Sequence, residues 1–193
     1  MAEKKIKRGA QIYQLKVTLN DVRPAIWRRF QADGDISLVE LHRCIQAVMD
    51  WKNCHMHEFV IKGEKYGMPD GGGEEVFDVK VYDGKKYKLS ELVAQGDSFI
   101  YIYDFGDDWR HTVEVEEVLT VEARARYPRC VDGARACPPE DCGGPWGYEE
   151  MLEALKNPDH REYKHYREWL GGEFDPEGFD LNKVNGFFRK FSK

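Results

Sequence analysis

Between Ile12 and Leu19 every second side chain is apolar: Tyr13, Leu15, Val17 and Leu19 alternate with Gln14, Lys16 and Thr18. Successive side chains of a strand point to opposite faces, so this period of two predicts a strand with one buried and one wet face. The same period returns at His55, His57, Phe59 and Ile61. It returns again at Trp109, His111, Val113 and Val115, set against Arg110, Thr112, Glu114 and Glu116. Repeated half-buried strands joined by short turns require a mainly antiparallel sheet with one covered face. The turns are legible too: Asn20-Asp21, Asp83-Gly84 and Gly106-Asp107-Asp108 supply residues that bond their own backbone or accept unusual torsions. Val22–Gln31 reads as the partner of the first strand, with Pro24 near its start, where a missing N–H is tolerated. Phe77, Val79 and Val81 suggest a further strand, and Phe99–Tyr103, apolar on both faces, suits the middle of the sheet.

Something must cover the apolar face, and helical spacing provides it. Ser37-Leu38-Val39-Glu40 fits a capping box, in which the hydroxyl and the carboxylate each satisfy an orphan backbone donor. Leu38, Leu41, Ile45 and Val48 follow on one helical face, and Cys44 reads as a small core residue beside them. A short helix is expected near Leu89 or Ser90. Tyr127–Trp146, with four prolines and Gly133, Gly143 and Gly144, is expected to be a structured loop. Three helical segments then follow: Tyr148–Leu155, one capped by Asp159 and ended by Gly171-Gly172, and Leu181–Phe191. Strands followed by helices give an α+β class: a mixed, mainly antiparallel sheet built from hairpins, one helix after the first hairpin, and a helical C-terminal segment. The expected organisation is one domain over 1–193, with a loose tail at 1–11, a sheet-rich core at 12–126, and the Pro/Gly loop and helices at 127–193.

The 193 residues, 41% of them hydrophobic, suffice for one such core. A net charge of -6 disfavours a general nucleic-acid binder, which needs a basic face; the basic clusters here are short. No stretch approaches the ~20 apolar residues of a membrane span, and the charged N-terminus lacks an apolar signal segment. Five cysteines, an odd number, read as reduced thiols, metal ligands or core residues of a cytoplasmic protein. Nucleotide and catalytic signatures are absent: no P-loop, G-x-G-x-x-G, G-x-S-x-G or H-E-x-x-H. The Gly71-Gly72-Gly73 run lacks the Lys-Ser/Thr of a phosphate cradle and reads as a flexible loop.

Several segments resemble the plasmid pRiA4b ORF-3-like family, known as mobile-element passenger proteins. They are Pro24-Ala25-Ile26-Trp27-Arg28-Arg29, Leu41-His42, His55–Phe59, Tyr103–His111, Tyr127-Pro128-Arg129-Cys130 through Gly143-Gly144, Gly147-Tyr148, Phe174-Asp175-Pro176-Glu177 and Asn185. The resemblance implies a soluble α+β protein of plasmids, transposons and chromosomes. It supplies no catalytic residues. Some members carry a resolvase-like label, for which this sequence offers neither a serine-recombinase framework nor a basic DNA-binding arm.

Four constellations are candidates for chemistry. Cys130, Cys137 and Cys142 are thiols that can hold zinc with a fourth ligand from His111, His55 or His57, although the spacing is not the paired C-x-x-C of a zinc ribbon; the alternative is thiols packed under a loop. Asp104, Asp107 and Asp108 stand near Trp109 and His111, a set suited to acid–base work or a hard cation. Turn chemistry accounts for Asp107 and Asp108. Asp104 continues the face of Ile100 and Ile102, which predicts a buried carboxylate with Arg28, Arg29 or Arg110 as its ion-pair partner. His55 and His57 on one strand face form a possible chelate, or two core histidines. Glu140 and Asp141, held by Pro138-Pro139, line a pocket or cap the sheet. Asp104, His111, Glu140 and Asp141 are thus the catalytic candidates, and Cys130, Cys137, Cys142 and His111 the metal candidates.

The expected function is a noncatalytic binding or accessory protein linked to plasmids or mobile elements, its partner a protein or a small ligand. The alternative is a metal-dependent hydrolase or nuclease-like enzyme. Either requires the Asp-rich hairpin corner and the cysteine-bearing proline loop to meet in space.

Overall fold

The computed structural model describes residues 11–68 and 80–191. Its strands are β1 (Gln11–Leu19), β2 (Trp27–Asp33), β3 (His57–Ile61), β4 (Glu64–Gly67), β5 (Val81–Asp83), β6 (Ser98–Tyr103), β7 (Trp109–Thr120) and β8 (Arg129–Ala134). They form one sheet in the order β5-β4-β3-β6-β7-β1-β2-β8. Every pairing is antiparallel except β4 with β5. The helices are α1 (Leu38–Met49), α2 (Leu89–Leu92), α3 (Gly144–Lys156), α4 (Tyr163–Trp169) and α5 (Leu181–Phe191). The class is therefore the α+β arrangement that the alternation demands. The Phe77 and Val79 part of the expected strand, and the Gly71–Gly73 run, lie outside the described residues; Val81 opens β5.

The alternation in β1 is translated directly into burial. Leu15, Val17 and Leu19 are fully buried, with Leu15 opposite Phe30 on one side and Val115 on the other. α1 lays Leu38, Leu41, Ile45 and Val48 on this face, all inaccessible to solvent. Burying one such side chain is worth roughly 1.5–3 kcal/mol, far more than the intrinsic helix propensity of the segment. Its start is fixed by the capping box, in which Ser37 Oγ accepts from Glu40 N and the Glu40 carboxylate accepts from Ser37 N. α5 lies beside α1 and brings Phe188 to 6.5 Å from Phe30, ring to ring.

Four sequence expectations are corrected. The second strand begins at Trp27, because Asn20–Ile26 forms the connection and Leu19 N bonds Ile26 O at 2.9 Å. The Tyr127–Trp146 segment is not loop throughout: β8 pairs with β2, Arg28 opposite Gly133 and Phe30 opposite Cys130. Glycine is required at 133, since a Cβ there would stand 2.7 Å from Phe179 and 2.9 Å from Arg28. Asp159 does not cap a helix; α4 begins at Tyr163 after Glu162, while α3 begins earlier than expected, at Gly144.

Arg28 ties the sheet to the loop that follows β8. Its guanidinium is buried, and all its donors are used. Nε donates to Val48 O (2.9 Å), Nη1 to Trp27 O and Ala134 O (both 2.8 Å), and Nη2 to Arg135 O (2.7 Å) and Cys137 Sγ (3.0 Å). The Phe179 ring packs over the cation at 4.6 Å. One side chain thereby joins the end of α1, the end of β8 and the start of the proline loop.

Candidate metal centre

The proline loop is carried back over the sheet edge to the β6–β7 corner. Trp51 Nε1 donates to Pro138 O (2.9 Å), Lys52 N to Glu140 Oε1 (2.7 Å), and Gly143 N to Asp107 Oδ2 (3.2 Å). The contact is close enough to demand glycine: a Cβ on Gly144, already at φ 70°, would lie 2.4 Å from Asp107 O. The hairpin corner and the cysteine-bearing loop therefore meet.

Asp104 sits at the corner with φ 55°, a left-handed conformation that Asp tolerates because its carboxylate can bond the turn. Oδ1 accepts from Gly106 N (2.9 Å) and Asp107 N (3.3 Å), which leaves Oδ2 free to face inward. Glu140 is held in the same manner. Its Oε1 accepts from Lys52 N, and its carboxylate accepts the Tyr103 hydroxyl at 3.1 and 3.2 Å. Burial, reinforced by Glu140, raises the Tyr103 phenol above its ordinary value, so it remains a donor. Its oxygen in turn accepts from Cys54 N at 3.0 Å.

These oxygens converge on His55. Nε2 stands 2.9 Å from Asp141 Oδ1, 3.5 Å from Asp104 Oδ2 and 3.7 Å from Glu140 Oε2. Yet Nε2 is sealed from solvent and has no hydrogen-bond partner among the described residues. Ligating atoms of His55, Asp104 and Asp141 all lie within 4.8 Å of one another, the one such group of His, Cys, Asp and Glu among the described residues. Around an ion with bonds of about 2.1 Å, neighbouring donors are about 3.0 Å apart in octahedral and about 3.4 Å apart in tetrahedral geometry. The two shorter His55 distances, 2.9 and 3.5 Å, bracket this range without selecting one geometry. The donor set, one imidazole and two carboxylates with a third alongside, suits a borderline divalent ion such as Zn²⁺ or Mn²⁺ better than Ca²⁺ or Mg²⁺, which take oxygen alone.

The other candidates lie elsewhere. Cys130 Sγ packs against Arg29 O and Asp132 O, and Cys137 Sγ lies between Arg28 Nη2 and Met49 Sδ. Burial pushes the thiols of Cys130 and Cys137 up to about 11 and that of Cys142 up to about 12, so all three are protonated at neutral pH. His111 is inside the core against Tyr101 and Trp51, each 5.3 Å between ring centres. Its Nδ1 donates to Tyr101 O at 3.3 Å, and burial lowers the ring to about 4. Among the described residues no arginine pairs with Asp104: Arg28 bonds carbonyls and a sulfur, Arg29 pairs with Glu116 and Asp132, and Arg110 pairs with Asp108.

His55 and His57 do not share a strand face. β3 begins only at His57, and His55 precedes it on an irregular segment where Asn53 has φ 57°. His57 stacks on His42, ring centres 3.5 Å apart and planes within 2°. His42 Nε2 must donate to Asn53 Oδ1 (2.6 Å), since that oxygen only accepts, so its Nδ1 accepts the Tyr101 hydroxyl (2.7 Å). Sequence reasoning placed His55 with the wrong neighbour. The available signal was the polar Lys52-Asn53 pair, which breaks the alternation just before it.

The family profile described as plasmid pRiA4b ORF-3-like protein matches residues 11–183. The chain belongs to the plasmid pRiA4b ORF-3-like family. It is 36% identical over 179 residues to the uncharacterized protein y4hQ of Sinorhizobium fredii (strain NBRC 101917 / NGR234), covering 91% of this chain and 90% of that one. A crystal structure of MM3350, a protein of unknown function from Methanosarcina mazei Go1, matches with a TM-score of 0.83 at 41% identity, over 92% of this chain and 99% of that chain. These plasmid pRiA4b ORF-3-like relatives carry no stated activity. No helix among the described residues is long and apolar enough to cross a membrane.

Proposed function

We propose that this chain is a divalent-cation-dependent binding protein, a noncatalytic accessory of plasmids or mobile elements, with His55, Asp104 and Asp141 as its ligands. The observation that carries the reading is the sealed, unbonded Nε2 of His55 facing carboxylate oxygens at 2.9–3.7 Å. Each of Asp104 and Glu140 spends one oxygen on backbone donors and presents the other, the outer-sphere arrangement that orients metal ligands. The ligands come from both the 12–126 and the 127–193 parts, which favours treating 1–193 as one functional domain. The five free thiols favour a reducing cytoplasm. A net charge of -6 argues for a protein or small-molecule partner over DNA.

Titration of Zn²⁺ or Mn²⁺ into chelator-stripped protein, followed by calorimetry, tests the centre. One equivalent should bind, and His55→Ala or Asp104→Asn should weaken binding by about tenfold or more, with Asp132→Asn as an unaffected control. A stripped wild type that takes up no more metal than His55→Ala ends the proposal.

A second reading, a metal-dependent hydrolase or nuclease-like enzyme, is favoured by Glu140. Its carboxylate stands beside the ligand group, held by Tyr103, where it can take a proton from a metal-bound water. Turnover of an ester or phosphodiester that disappears in Glu140→Gln, with metal affinity retained, would decide for this reading. No turnover in the fully metal-loaded protein would leave the binding role.

A further inference from the structure

An open cavity of about 520 Å³ is lined in part by His55 and Asp104, two ligands of the proposed cation centre. Its rim is apolar: Met56, Met68 and Phe105 are 42%, 51% and 53% exposed, three large side chains left in water around one opening. Its inner wall includes His57, whose residue is only 8% exposed and whose ring makes no hydrogen bond among the described residues. Its ring nitrogens are not sealed from solvent, so they are open to water or to a ligand in the cavity. The volume lies in the range of small-molecule sites, which combine apolar walls with a few placed polar groups. Methionines at an opening adapt to ligands of varied shape.

The charge of the site narrows the ligand further. Asp104, Glu140 and Asp141 against one divalent cation leave a net negative centre, which repels an anion. An uncharged oxygen donor for the cation, an apolar body for the rim and a hydrogen-bonding partner for His57 describe an amide. We propose that this cavity binds a small neutral N-acyl amide with an apolar side group, its carbonyl oxygen toward the cation and its N–H or second carbonyl toward His57. The inference rests on the cation centre proposed above and names the class of ligand it serves.

The test uses the full chain loaded with Zn²⁺ and three probes, N-acetylphenylalaninamide, N-acetylglycinamide and N-acetylphenylalanine, by calorimetry and amide-shift NMR. The neutral phenylalanine amide should bind and shift the signals of Met68 and Phe105. Loss of the aromatic group, or a carboxylate in place of the terminal amide, should weaken binding by about tenfold. Phe105→Ser and Met68→Ser, both at exposed positions that leave the core intact, should weaken it while zinc uptake stays unchanged. His57→Gln, with its fold checked by circular dichroism, should weaken it as well. Zinc uptake without preference for the neutral apolar amide overturns this inference alone. Absence of zinc uptake overturns the cation centre and this inference with it.

Discussion

Arg28 shows how much one residue's chemistry can decide. A buried guanidinium normally needs a carboxylate, yet here backbone carbonyls and one sulfur neutralise it by geometry: five donors, five acceptors at 2.7–3.0 Å. The sequence suggests Arg28, Arg29 or Arg110 as the partner of Asp104, because a carboxylate on a buried face needs one. What it did not contain is the backbone path: Asp104 adopts φ 55° and satisfies one oxygen within its own turn. Arg28→Ala should therefore destabilise the fold by roughly 3 kcal/mol or more, since it orphans several buried carbonyls at once. Arg28→Lys, with three donors and no planar fork, should recover only part of that loss. Urea unfolding of the three proteins gives the comparison; an Arg28→Ala protein as stable as wild type would show that the carbonyls find water instead.

At the level of elements, what was legible followed local periodicity, and what was not depended on partners distant in sequence. β1 and β7 announce themselves through alternation, α1 through its capping box, and β6 through an apolar run. β8 does not, because Arg129–Ala134 contains one glycine and two charged side chains and pairs only as an edge strand on β2. The same holds for the candidate centre. Glu140 and Asp141 were visible as acids in a constrained loop and Asp104 as a buried carboxylate, but their convergence on His55 needs β3 beside β6 and the proline loop folded back across their ends. The three cysteines were close in sequence and are drawn into different packing environments by β8 and by Arg28. The docking of the loop rests on Gly144, at φ 70°, where an added Cβ would stand 2.4 Å from Asp107 O. Gly144→Ala should displace the loop, costing about 1–3 kcal/mol and weakening metal uptake, while Gly171→Ala, left-handed but in open space, should lose stability without losing metal. Parallel denaturation and metal titration separate the two; retained metal affinity in Gly144→Ala would mean that the loop's seat does not position Asp141.

Taken as a whole, the molecule buries imidazoles in the layer between α1 and the sheet, and this sets its response to acid. Burial lowers His42 to about 4 and His111 to about 4, against an ordinary value of 6.5. Above pH 6.5 both rings are neutral whether folded or unfolded, so they make stability independent of pH there. Below 6.5 the unfolded chain takes up protons that the folded chain refuses. Stability must then fall as the pH drops from about 6.5 to about 4, where the share of these two rings levels off, while His57, lowered by burial to about 3, extends the fall further. The loss from two such groups is on the order of a few kcal/mol, a large part of a typical domain's margin. The Arg29–Glu116 pair acts in a different window: pairing lowers the Glu116 carboxyl below its usual range, so its contribution disappears only at still lower pH. His111→Phe keeps the aromatic volume between Tyr101 and Trp51 and removes one titrating ring. Its unfolding free energy should decline less steeply than that of wild type between pH 6.5 and 4, and the two should have the same dependence above pH 7. Equal slopes through the acid window would mean that His111 does not remain neutral in the folded core.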